Sequence, residues 1–108
     1  MIEIETRRDS TVVCRPLGDL HLEASFEFRH VIGDLLQPGL NIVIDLSRVE
    51  SIDAVGVSAL VGALRRVRAL RGVAYIERAN PRVSWFLRLV GVDRIVARAP
   101  QSSRPGVA

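Results

Sequence analysis

Few side chains in this sequence carry the chemistry of catalysis. There is one Cys, Cys14, two His, His21 and His30, and no Lys, because all fifteen basic residues are Arg. Without Lys there is no Schiff base and no P-loop contact to a phosphate. The phospho-relay receiver domain, which uses a Lys near its acceptor Asp, goes with them. One Cys permits no intramolecular disulfide, and one Cys with two His falls short of the four ligands of a structural zinc site. No Gly-x-Gly-x-x-Gly occurs, and the Ser and His residues are not spaced as nucleophile and base. What remains is acid chemistry. Asp45 closes an apolar run, where ligands of open α/β sheets gather, and Asp53 precedes a helical stretch. A paired-acid metal site is the lesser alternative here, and no metal is expected. The simpler reading is a strand-terminal turn acid and a helix cap accepting N–H bonds, and the second is compatible with a functional surface.

These groups need a frame. The 108 residues are 48% apolar and 25% charged, enough for a single domain with one ordinary core. Ile2-Glu3-Ile4-Glu5 alternates with the period of a half-exposed strand. Thr11–Arg15 resumes after the polar break Arg7–Ser10, so the two read as an antiparallel hairpin. Beyond Pro16 and Gly18 the period changes: Ala24, Phe28, Val31, Ile32 and Leu35 share one face of a helix that ends before Pro38-Gly39. Ile42–Leu46, apolar but for Asp45, reads as a central strand covered on both faces. A second helix after Asp53 carries Val57, Leu60, Val61, Leu64 and Val67 on its stripe. Gly72 stops it beyond Arg65, Arg66, Arg68 and Arg71, cations suited to the negative end of the helix dipole. Val73–Ile76 is a further strand, and Asn80-Pro81 opens a capped helix with Val83, Phe86, Leu87 and Val90 inward. Gly91 ends that helix and Arg94–Val96 is a last strand. The expected order is β-β-α-β-α-β-α-β: an α/β fold with a mixed sheet and helices packed mainly on one side. Residues 1–98 form the domain and 99–108, polar and rich in Pro and Gly, a flexible tail.

The apolar segment Ala54–Leu64 is far shorter than the roughly 20 residues that span a bilayer. Met1–Glu5 shows no signal-peptide pattern. A cytoplasmic protein without membrane insertion is therefore expected. The formal charge is only +3, with no clustered basic arm or aromatic platform, so nucleic acid is not the expected partner. Cys14, beside Val12 and Val13, reads as a small buried residue rather than a redox sensor. His30 reads as surface, the Arg65–Arg71 group as a solvated helix end, and His21 as a loop histidine or a partner contact. Trp85 and Phe86 are adjacent and cannot share one helix face, which places Phe86 in the core and Trp85 partly packed at the stripe's edge.

Gly18-Asp19-Leu20-His21-Leu22, the strand ending in Asp45-Leu46-Ser47-Arg48-Val49, and Ile52-Asp53-Ala54-Val55-Gly56-Val57 at a helix start resemble the STAS domain of anti-sigma-factor antagonists. Gly72-Val73, Asn80-Pro81-Arg82-Val83 and Leu89-Val90-Gly91-Val92-Asp93 extend the likeness, which covers about residues 10 to 96. The resemblance implies a STAS-like single domain that binds and does not catalyse, with no cofactor. Its partner would be an anti-sigma factor, often a serine kinase that phosphorylates a Ser in an Asp-Ser-Ser-Gly turn. Similar STAS domains serve as accessory subunits of ABC-type lipid transport systems or as tails of anion transporters, which is the alternative reading. A homodimer is left open.

The sequence departs from that pattern where the switch should be. The turn reads Asp53-Ala54-Val55-Gly56, so Ala54 stands at the phosphoacceptor position and Val55 beside it. Ser51 and Ser58 are the substitute acceptors on offer: either hydroxyl can be modified, though neither matches the family position. His21 stands where the family usually has Asp. The resemblance puts the partner contact on Asp19, Leu20 and His21 together with Asp53, Ala54, Val55, Gly56, Val57 and Ser58.

Overall fold

In the computed structural model, which describes residues 1–91, β1 (Ile2–Thr6) and β2 (Val12–Pro16) form the expected antiparallel hairpin, Ile2 opposite Pro16 and Thr6 opposite Val12. Its turn closes on Asp9, whose Oδ1 accepts the Thr11 amide at 3.0 Å. Then follow α1 (Leu22–Leu35), β3 (Asn41–Asp45), α2 (Ala54–Ala69), β4 (Val73–Glu77) and α3 (Pro81–Leu89). The sheet runs β1-β2-β3-β4, with β2, β3 and β4 parallel. The crossovers β2-α1-β3 and β3-α2-β4 each step one strand in the same direction. Right-handed connection then puts both helices on one face of the sheet, where they pack against each other. The expected strand Arg94–Val96, the domain limit at 98 and the tail 99–108 lie outside the described residues.

The parallel registers align Val12 with Ile42 and Ala74, and Cys14 with Ile44 and Ile76. All six join the apolar core with Phe28, Ile32, Leu60, Leu64 and Val67, so this face lies under the helices. Full burial of a side chain of this size is worth about 1.5–3 kcal/mol, and Phe28, Ile32, Ile42 and Leu60 are each completely buried. Cys14 is buried as expected, and burial pushes its thiol up to about 12, far from a reactive thiolate.

Two helices differ in detail from the sequence reading. On α2, Val61 is only half-buried, while Gly56, Ala59 and Ala63 are buried beside Val57, Leu60, Leu64 and Val67. The helix touches both the sheet and α1, so its covered arc is wider than one stripe and takes in the small residues on its α1 side. On α3, Val83 and Leu87 are buried and Phe86 half-buried. Trp85 is 59% exposed and Val90 48%, against the expectation that the first packs partly and the second faces inward. A helix of nine residues seated by one i, i+4 pair leaves its neighbours outside. Among the described residues no helix is long and apolar enough to cross a membrane.

Candidate functional site

Three loops leave the carboxyl ends of the parallel strands β2, β3 and β4, and they are laced together. The loop after β2 carries Gly18–His21 and the loop after β3 carries Leu46–Asp53. They run side by side through the parallel bridge of Leu20 with Ile52. The Leu20 amide donates to the Ser51 carbonyl at 3.2 Å and the Asp53 amide to the Leu20 carbonyl at 3.4 Å. Asp19 Oδ1 accepts the Glu50 and Ser51 amides, both at 3.0 Å. The Ser51 amide, with that of Glu50, holds the Asp19 carboxyl below its usual range. His21 ends the first loop, its Nε2 3.0 Å from the Ser51 hydroxyl oxygen.

From this clamp α2 departs. Asp53 is its cap, Oδ1 accepting the Gly56 amide at 2.9 Å, as the sequence predicts. Gly56 cannot be any other residue without movement. A Cβ there would collide with the Leu20 carbonyl oxygen and lie 2.7 Å from Ile52 Cγ1, so α2 lies directly on the two-loop clamp. Of the expected contact residues, Asp19, His21, Ala54 and Ser58 are exposed and Asp53 and Val55 half-buried. Leu20, Gly56 and Val57 are buried, at the bridge and under the helix, so they shape the surface from beneath and do not form it. Ser51 is half-buried with its hydroxyl engaged by His21. The Ser58 hydroxyl accepts from Arg29 Nη2 at 3.5 Å.

Some supporting residues were not legible as such. Asn80 caps α3, with Oδ1 accepting the Val83 amide at 2.7 Å, and its Nδ2 also donates to the Val49 and Glu50 carbonyls at 3.2 Å. The third loop is thereby tied to the second. Asp45 is the strand-terminal turn acid that the sequence suggests, and it is also the centre of an ion-pair cluster. It is 1% exposed, receives Arg15 Nε at 2.9 Å and Arg78 Nη2 on Oδ2, and accepts the Ser47 amide on Oδ1 at 2.9 Å. Burial opposes its ionisation, but Ser47, Arg78 and Arg15 outweigh that cost and hold the carboxyl well below the usual carboxylate range. Arg15 continues to Glu3 Oε1 at 2.6 Å and Glu5 Oε1 at 2.9 Å, on the sheet face away from the helices. Arg78, at a left-handed φ of 57°, precedes Asn80 by two residues, so the ion pair fixes the turn that aims Asn80. Asp45 and Asp53 are therefore engaged separately, and among the described residues no three His, Cys, Asp or Glu side chains gather as a metal site. Beside Ser51 and Ile52, α3 adds a shallow hollow of about 170 Å³ lined by Arg82, Val83, Trp85 and Phe86.

The arrangement can present a shaped, weakly charged surface around the start of α2. Among the described residues no carboxylate hydrogen-bonds the His21 ring that touches Ser51.

Comparison with known proteins agrees in both sequence and shape. Residues 2–104 match the STAS domain family. A Thermotoga neapolitana protein named "Putative anti-sigma factor antagonist TM1081 homolog" is 32% identical over 90 residues, which are 82% of this chain and 80% of the relative. The crystal structure of the Thermotoga maritima protein TM1081 superposes with a TM-score of 0.80 at 27% identity, covering 95% of this chain and 90% of that one. The phosphorylated form of the Bacillus cell-fate determinant SpoIIAA shares the fold at 20% identity, with a TM-score of 0.69 over 95% of each chain.

Proposed function

The chain belongs to the STAS domain family, and on that premise we propose that it is an anti-sigma-factor antagonist: a binding protein of the cytoplasm that docks an anti-sigma factor and performs no chemistry of its own. The observation that carries the reading is the lacing of Asp19–His21 to Ser51–Asp53 beneath the start of α2, in a chain whose curated relatives bear that name. The clamp makes one rigid surface out of two loops, which removes ordering cost from docking. Ala54, Val55 and Ser58 give it an uncharged centre, with Asp19, His21 and Asp53 at its side.

Within this reading the partner surface is fixed in the docking-competent state. A phosphate adds about −1.5 to −2 charges, and a turn with Ala54 in place of the acceptor has no hydroxyl there to carry it. Control then lies in abundance or in the partner. The test is affinity capture with the intact chain from its native cell, with mass spectrometric identification of what is bound. Recovery of an anti-sigma factor, lost in Ser58→Arg with the melting temperature unchanged, is the expected result. Recovery of a transporter ATPase subunit in its place overturns the reading.

A further inference from the structure

The α1–α2 contact does not close along its length. An open groove of about 230 Å³ remains, lined by Arg29, Ala59, Gly62, Ala63 and Arg66. Its walls cross. Arg29 reaches from α1 to the Ser58 hydroxyl on α2 at 3.5 Å, and Arg66 reaches back from α2 over Gly33 of α1, where an added Cβ would lie 3.3 Å from its Nη2. Neither guanidinium pairs with a carboxylate among the described residues. Of the acids on α1, Glu27 holds the Met1 amino group at 2.9 Å, and Asp34 lies 3.9 Å from His30.

Gly62 is the second observation. Glycine inside a helix is the poorest choice after proline, and here the fold does not ask for it. A Cβ at Gly56 or Gly72 would collide with backbone, whereas at Gly62 it would meet nothing within 4 Å. The bare backbone keeps space open between two unpaired cations. That space is below the roughly 300 Å³ at which small-molecule pockets begin, and far larger than one water at about 30 Å³. It fits a side chain. Arg29 on its wall also touches Ser58, the neighbour of Ala59 in α2, which belongs to the contact surface proposed above.

We infer that the α1–α2 groove is an extension of the partner-binding surface and takes an Asp or Glu side chain of the docked protein between Arg29 and Arg66. This rests on the reading that a protein docks at the start of α2. Two planar guanidiniums approaching from opposite helices match the two oxygens of a carboxylate, and the small residues between them admit its stem.

The test uses the full chain with a capped tetraglutamate peptide, and capped tetraglutamine and inorganic phosphate at matched ionic strength as comparisons. NMR should show saturable shifts of the Gly33, Gly62 and Ala63 amides and the arginine Nε–H signals with tetraglutamate, none with tetraglutamine, and weaker ones with phosphate. The Arg29→Gln/Arg66→Gln pair and Gly62→Met should each weaken tetraglutamate binding about tenfold. Gly62→Met keeps both cations and fills the groove, and its melting curve reports folding separately. Equal response to phosphate, or tetraglutamate binding undiminished by Gly62→Met, overturns the inference. The same variants should lower affinity for the captured anti-sigma factor about tenfold. If Ser58→Arg loses that affinity while the groove variants keep it, the groove assignment alone fails. If Ser58→Arg keeps it too, the contact surface itself is misplaced.

Discussion

Asp19 Oδ1 holds the Ser51 amide at 3.0 Å while holding that of Glu50 at the same distance, so one carboxylate oxygen joins two loops some thirty residues apart. Its negative charge is used inward, on backbone donors that would otherwise need water. Replacing Asp19 by Ala should lower stability by about 1 kcal/mol, as losing an exposed cap does. Asp19→Asn keeps an acceptor oxygen and should recover most of it. Urea midpoints of the two variants check this. Equal midpoints for Asp19→Ala and the parent would mean that the bridge of Leu20 with Ile52 holds the loops unaided.

Two glycines of α2 should respond in opposite directions. Gly56→Ala drives a methyl into the Leu20 carbonyl and Ile52, and either the helix lifts or the clamp opens. A loss of about 1–3 kcal/mol is expected, on the scale of overpacking a tight site. Gly62→Ala meets open space and gains about 1 kcal/mol of helix propensity. Thermal melts of both, side by side, separate a glycine required by close approach from one that is not.

The Asp45 ion pairs set an acid limit on stability. Its folded-state pKa is depressed below the ordinary carboxylate value, so its contribution is full above about pH 4, where the unfolded chain is also ionised, and is lost as pH falls toward the folded value. Asp45→Asn should cost about 3 kcal/mol at neutral pH, the low end for breaking a buried pair, because Arg15 keeps Glu3 and Glu5. It should also flatten the melting temperature between pH 4 and 2 relative to the parent. A parallel acid decline in both proteins would place the loss in other carboxylates.

Much of the architecture was legible because it depends on local period. The i, i+4 pattern from Ala24 to Leu35, the cap at Asp53 and the Asn80-Pro81 helix start each need only a few neighbouring residues, and each stands as read. What escaped depends on residues far apart in sequence. Asp45 reads as a turn acid and is one, but its ion pairs show only once the sheet brings Arg15 and Arg78 to it. Asn80 shows its cap in sequence but not its bonds to Val49 and Glu50. Leu20 and Val57 sit in the expected contact segments, yet their side chains turn inward, because a loop motif fixes position and says nothing of which atoms reach solvent.

The most direct consequence of the proposed function lies at Ala54, the exposed first residue of α2, next to the Asp53 cap. α2 has no acidic side chain in its first turn, so a carboxylate placed there gains from the helix dipole, but Asp53 already caps the Gly56 amide beside it and repels a second charge, and the net change in stability should stay within about 0.3–1 kcal/mol. The same charge stands in the middle of the docking surface. Ala54→Asp should therefore melt close to the parent temperature and bind the captured anti-sigma factor about tenfold more weakly, which is about 1.4 kcal/mol. Ala54→Ser should fold and bind like the parent. If the partner is a serine kinase, it should take up one phosphate from ATP under conditions in which the parent takes none, and that modified form should dissociate. Calorimetry, intact-mass spectrometry and a binding isotherm give the three readings. Undiminished binding by Ala54→Asp would move the docking surface away from this helix start. Phosphate found on Ser51 or Ser58 of the parent, with loss of binding, would show that the switch has been relocated and not lost.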